Sequence, residues 1–232
     1  MTLANTFSAK LFSDSVRRIP ITLTISGLAI LLHFASGLET WLSFQFKEVA
    51  AYDFARLFGC HLLHWSTEHL FWDLAAFAVL GAACEWRSPR RYAWTLLLTA
   101  IPVPLCVMFW VPQVGCYRGL SGIDTALFGL LVSSLIVQRL KDRETFGALF
   151  YILLIVGLFC KIAAEMISQK NIFVTDESFT PVPIAHLVGA VIGLAIGTYR
   201  EKGLSSNASN TATCIHPGSS QCIPIPEIPS LH

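Results

Sequence analysis

Residues 117–137 read YRGLSGIDTALFGLLVSSLIV. From Leu120 to Val137 the only charge is Asp124, and a run of that length can cross a bilayer as one helix. Working outward, five more apolar blocks of similar length appear, giving six expected spans: Ile19–Leu38, His61–Cys84, Tyr92–Val111, Leu120–Val137, Phe146–Ile167 and Val182–Tyr199. The chain is 54% hydrophobic and 13% charged, against about 25% charged in an ordinary soluble domain. Net charge is +1, which gives a nucleic-acid partner no support. The first block has a basic flank like a signal peptide, but its run is long for one and further spans follow, so it reads as a retained helix. The expected fold class is therefore an all-α membrane protein, a six-transmembrane-helix bundle. Residues 19–200 form its core, residues 1–18 precede it, and the Ser-, Asn-, Thr- and Pro-rich residues 201–232 form a disordered tail.

Basic residues orient the bundle. With a cytoplasmic N-terminus, the inner segments hold Lys10, Arg17, Arg18, Arg87, Arg90, Arg91, Arg139, Lys141, Arg143, Arg200 and Lys202, eleven in all. The outer segments hold four: Lys47, Arg56, Arg118 and Lys170. Both termini are expected in the cytoplasm. The aromatic first outer loop, Glu39 to about Cys60, is expected to lie in the membrane interface. The cysteines are scattered, with no zinc-type spacing.

Polar groups within spans are costly and point to function. Ser121 opens the fourth span at the outer face, between Gly119 and Gly122. Ser121 and Asp124 alone read as a capping box. The flanking glycines favour a nucleophile whose backbone approaches a substrate carbonyl, with nearby N–H groups for an oxyanion. His186 opens the sixth span, also at the outer face. It begins a stripe of Gly189, Gly193 and Gly197, matched by Gly122, Ala126 and Gly129 on the fourth. If these small faces meet, Ser121 and His186 come together at one depth. His69 and Asp73 share a face of the second span, placed to orient or stabilise groups around an oxyanion, or to bridge helices. Lys161 and Glu165, four apart on the fifth, read as an internal ion pair.

Three segments then resemble the rhomboid family of intramembrane serine proteases. Gly119-Leu120-Ser121-Gly122 is similar to its G-x-S-G motif, Ala185 to Gly193 to its A-H-x-x-G-x-x-x-G motif, and His69 to Asp73 to its H-x-x-x-N motif, with Asp73 in place of Asn. The resemblance implies a serine endopeptidase with Ser121 as nucleophile and His186 as base. His69, Asp73 and the backbone around Gly119 and Leu120 would be its oxyanion and auxiliary groups. It implies membrane-anchored protein substrates, a lipid bilayer as surroundings, no metal and no cofactor, and a gate formed by the fifth helix with residues Ser168 to Thr180. Gly59 to Asp73 and Tyr117 to Gly122 further resemble rhombosortases, a bacterial subgroup, which implies the inner membrane and processing of C-terminal sorting signals. Other readings are a zinc enzyme built on His61, His64, His69 and Asp73, an inactive rhomboid relative that binds transmembrane helices, and a transporter. The first lacks H-E-x-x-H and the last lacks inverted repeats.

Overall fold

A computed structural model describes residues 18–35, 37–48, 54–168 and 182–199. The expected tail, the N-terminal segment up to residue 17, most of the proposed gate loop and Cys214 and Cys222 lie outside the described residues. The elements are α1 (Pro20–Phe34), α2 (Glu39–Leu42), β1 (Phe44–Gln45), α3 (Phe54–Gly59), α4 (Thr67–Arg87), α5 (Pro89–Ala100), α6 (Pro102–Trp110), β2 (Cys116–Tyr117), α7 (Ser121–Lys141), α8 (Thr145–Ser168) and α9 (Pro183–Thr198), with single 3-10 turns at Phe46–Glu48, Cys60–Leu62 and Pro112–Val114. Three helical stretches are long and apolar enough to cross a membrane: Pro89–Trp110 taken across its break, Ser121–Lys141 and Thr145–Ser168. Pro20–Phe34 and Pro183–Thr198 are apolar but shorter. At 15 residues, α1 spans only about 22 Å of a bilayer core of about 30 Å. The second expected span becomes α4, which starts at Thr67 and carries His69, Asp73 and Glu85 among its buried residues.

The third expected span is two helices. Ile101 separates α5 from α6, and Pro102 and Pro104 follow. Pro104 has no N–H to return to the Ala100 carbonyl. Buried His61 meets that carbonyl instead, Nε2 lying 2.9 Å from it. An imidazole from a distant segment thus satisfies the group that proline frees.

Helix α7 is the centre of the bundle, packing against α4, α5, α8 and α9. Its contact with α9 is made by backbone. A Cβ on Gly189 would overlap the Gly122 carbonyl oxygen, and one on Gly193 would overlap that of Ala126. On the other side, a Cβ on Gly129 would stand 3.1 Å from the Ala190 carbonyl. Helix α8 lies at the edge, with Leu149, Phe150, Leu153 and Val156 outward. An apolar face of that extent suits lipid rather than water.

Two devices close the end of the bundle away from Ser121. Glu85 on α4 accepts from the N–H groups of Ile21 and Thr22, each at 2.9 Å, and from the Thr22 hydroxyl at 2.7 Å. A buried carboxylate thereby serves the open donors at the start of α1. Arg87 reaches Gln138, Arg91 reaches the Tyr199 carbonyl, and Arg18 stacks on Trp86. The described part of the first loop carries short regular elements. Its β1 pairs antiparallel with β2, Phe44 opposite Tyr117 and Gln45 opposite Cys116, and Phe44 is buried while Trp41 is exposed.

The α7–α9 contact predicts a sharp asymmetry on one helix. Gly193→Leu should prevent native packing, seen as loss of a monodisperse peak and of cooperative thermal unfolding in detergent. Val191→Leu, on the exposed side, should leave both unchanged; equal behaviour of the two variants would contradict the packing.

Candidate functional site

The segment entering α7 is a short strand, a turn and a helix start. Strand β2 ends at Tyr117, and Gly119 has φ +126°, a conformation that disfavours any residue with a Cβ. A Cβ there would also stand 3.1 Å from the His69 ring and 3.2 Å from Asp73 Oδ2. Glycine at this position therefore answers both a backbone and a space requirement. Its backbone is tied at both ends. The Gly119 N–H donates to the Cys60 carbonyl at 3.0 Å. The Gly119 carbonyl accepts from the Tyr117 hydroxyl at 3.3 Å and lies 3.2 Å from His61 Nδ1.

The next N–H, that of Leu120, donates to Asp73 Oδ2 at 3.0 Å. The same oxygen lies 3.2 Å from His69 Nε2 and 3.3 Å from His64 Nε2. This corrects the expectation that Leu120 offers its N–H to an oxyanion: Asp73 already occupies it. The Gly119 N–H is likewise engaged. Among the described residues, the groups that remain at the head of α7 are the N–H groups of Ser121 and Ile123, which precede the first internal bond, from Asp124 N–H to Leu120 O, while the Gly122 N–H faces the Tyr117 hydroxyl oxygen. The binding of Leu120 also accounts for Asp73 itself. The position needs an acceptor oxygen, which a carboxylate and a carboxamide both have.

Ser121 is the first residue of α7, and Leu120 is its N-cap with no side-chain capping bond. The capping-box reading fails here. The Ser121 side chain caps nothing, and both Asp124 carboxylate oxygens are buried without a hydrogen-bond partner among the described residues. Ser121 is half-buried. His186, half-buried at the start of α9, is brought to the same end by the glycine contact, since a Cβ on Gly122 would stand 3.3 Å from the Ala185 carbonyl and one on Gly189 would overlap the Gly122 carbonyl. No hydrogen bond joins Ser121 to His186 among the described residues. His186 Nδ1 instead lies 3.1 Å from Glu165 Oε2. Glu165 also accepts from Lys161 Nζ at 2.8 Å, the internal ion pair expected on α8.

Ser121, His186, His69, Asp73, Gly119 and Leu120 thus gather at one end of the bundle, formed by the heads of α4, α7 and α9. A profile of the rhomboid domain matches residues 51–202. The chain belongs to the rhomboid family. No curated protein sequence matches it significantly. Rhomboid proteins are helical membrane proteins acting on membrane-embedded partners, and most are serine intramembrane proteases. Three polar elements of this rhomboid site escaped the sequence reading. His64 was grouped with Asp73 only as a zinc candidate, and Glu165 beside His186 is a pairing between two helices. His61 stood out only as a zinc candidate, yet its ring bridges two backbone carbonyls.

The Asp73–Leu120 bond predicts that Asp73→Asn unfolds close to the wild type. Asp73→Leu should lose about 1–3 kcal/mol by leaving a buried N–H unserved. Thermal or denaturant unfolding in detergent decides this, and an Asp73→Leu variant as stable as Asp73→Asn would refute it.

Proposed function

We propose that this rhomboid protein is a serine endopeptidase cleaving membrane-anchored proteins near the outer membrane face, with Ser121 as nucleophile and His186 as base. The observation that carries the reading is the backbone contact of α7 with α9, made one residue from Ser121 and three from His186. Beside it, the turn at Gly119 is held rigid from four sides, and N–H groups stand open at the head of α7. A dyad requires a nucleophile, a base within reach and oxyanion donors.

In the reaction, Ser121 Oγ bonds to the substrate carbonyl carbon while His186 Nε2 takes the hydroxyl proton. The oxyanion is met by the N–H of Ser121 at the start of α7, with His69 alongside. Collapse breaks the C–N bond as His186 returns its proton to the leaving amine. Water, deprotonated by His186, then releases the acyl group and restores Ser121. Asp73 holds the Leu120 N–H and the two histidines, keeping the turn in place. Apo hydroxyl–imidazole geometry often closes only with substrate bound.

The end carrying Arg18, Arg87, Arg91, Arg139 and Lys141 lies opposite Ser121, which supports an orientation with both termini in the cytoplasm and the site at the outer face of a bacterial inner membrane. The stretches that resemble rhombosortases support, as the substrate class, proteins with a C-terminal signal made of a glycine-rich motif, one helix and a basic tail.

A fluorescent fluorophosphonate tests the reading on detergent-solubilised protein. The wild type should label, Ser121→Ala should not, and His186→Ala should label about a hundredfold more slowly or less. A monodisperse wild type that takes no label would contradict it and leave a rhomboid that binds transmembrane helices without cutting them.

A further inference from the structure

The base faces a carboxylate from a third helix. Glu165 of α8 is buried, its side chain 3% exposed, and its Oε2 lies 3.1 Å from His186 Nδ1. The carboxylate divides its two oxygens. Oε1 accepts from Lys161 Nζ at 2.8 Å, and Oε2 is left for the imidazole. An ionised carboxylate can only accept. Nδ1 must therefore carry a proton, and in the neutral ring Nε2 keeps its lone pair, the tautomer a general base for a serine hydroxyl requires. Among the described residues Nε2 has no other hydrogen-bond partner, and neither has Ser121 Oγ.

We propose that Glu165 is a positioning residue for His186, completing a Ser121–His186–Glu165 array in which α8 supplies the acid. The inference rests on the Ser121–His186 reading for its catalytic consequence, while the tautomer it assigns stands apart from that reading. Glu165 fixes the rotation of the ring and holds the proton on Nδ1. It also faces the positive charge that the imidazole gains when it takes the serine proton. Lys161 keeps the carboxylate ionised in an apolar helix and ties its second oxygen so that the first stays aimed at α9. The other helices packed on α9 offer no substitute. At this end α7 brings Asp124, one turn inside Ser121, and α5 and α6 bring no charged side chain, since Arg90 and Arg91 sit at the opposite end. The competing account is that Glu165 only neutralises Lys161.

Two measurements separate the accounts. The first is nitrogen NMR of histidine-labelled protein, with the His186 signal assigned by its loss in His186→Asn. The wild type should show a protonated Nδ1 and a bare Nε2, Glu165→Asp should retain that pattern, and Glu165→Leu, which leaves Nδ1 no acceptor, should lose it. The second is the fluorophosphonate labelling rate. Glu165→Gln should fall about tenfold or more, and Glu165→Asp should recover most of it. The double variant Lys161→Met/Glu165→Gln should stay as slow as Glu165→Gln. Recovery of the wild-type rate in the double variant, or a His186 tautomer indifferent to Glu165→Leu, would overturn the proposal. A wild type that takes no label would instead strike the protease reading, and the nitrogen spectrum would still decide whether Glu165 governs His186.

Discussion

The close approach of α7 and α9 is the constraint on which the rest depends. Between apolar helices in lipid there is little hydrophobic drive to associate, so contact rests on packing and small residues. Here Gly189 and Gly193 set one helix directly on carbonyl oxygens of the other. With no side chains between them, the helices have one register and little room to slide. That register puts the first residue of α7 beside the first turn of α9. Ser121 and His186 thereby lie at the same end of the bundle, each next in sequence to a residue of that contact.

The same end of the molecule shows how a membrane protein holds an irregular backbone. The turn at 117–120 and the break at Ile101 both expose peptide groups where water is scarce. Each is answered by a buried polar side chain from elsewhere. His61 serves the Ala100 carbonyl, Asp73 serves the Leu120 N–H, and Tyr117 serves the Gly119 carbonyl. At the other end Glu85 does the same for the start of α1. These groups tie the backbone of Gly119 and Leu120 in place at the head of α7.

What could be read in the sequence was what local spacing encodes. Apolar blocks located the helices, and four-residue glycine spacing located the contact face, because both patterns repeat along a single helix. Pro102 and Pro104 were visible too, but length alone made one span of what is a broken pair. Ser121 and Asp124 misled in the opposite way. Their spacing is that of a capping box, but the helix starts one residue earlier than the box requires, and tertiary contacts with Cys60 and Asp73 set that start. The Leu120 N–H that Asp73 accepts and the His186 ring that faces Glu165 were out of reach for the same reason. Lys161 is visible four residues from Glu165, whereas His186 becomes its neighbour only once α8 and α9 are packed.

The most direct test of this account is disulfide trapping across the α7–α9 contact. In a background lacking the native cysteines, Ser121→Cys/His186→Cys would be oxidised with copper phenanthroline in native membranes. A disulfide needs Cα atoms within about 7 Å. The account predicts rapid, near-complete formation of an internal bond, read as a mobility shift reversed by reductant, and none for Ser121→Cys paired with Thr198→Cys at the far end of α9. Failure of the 121–186 pair to close in protein that remains folded would contradict the contact that joins the two residues.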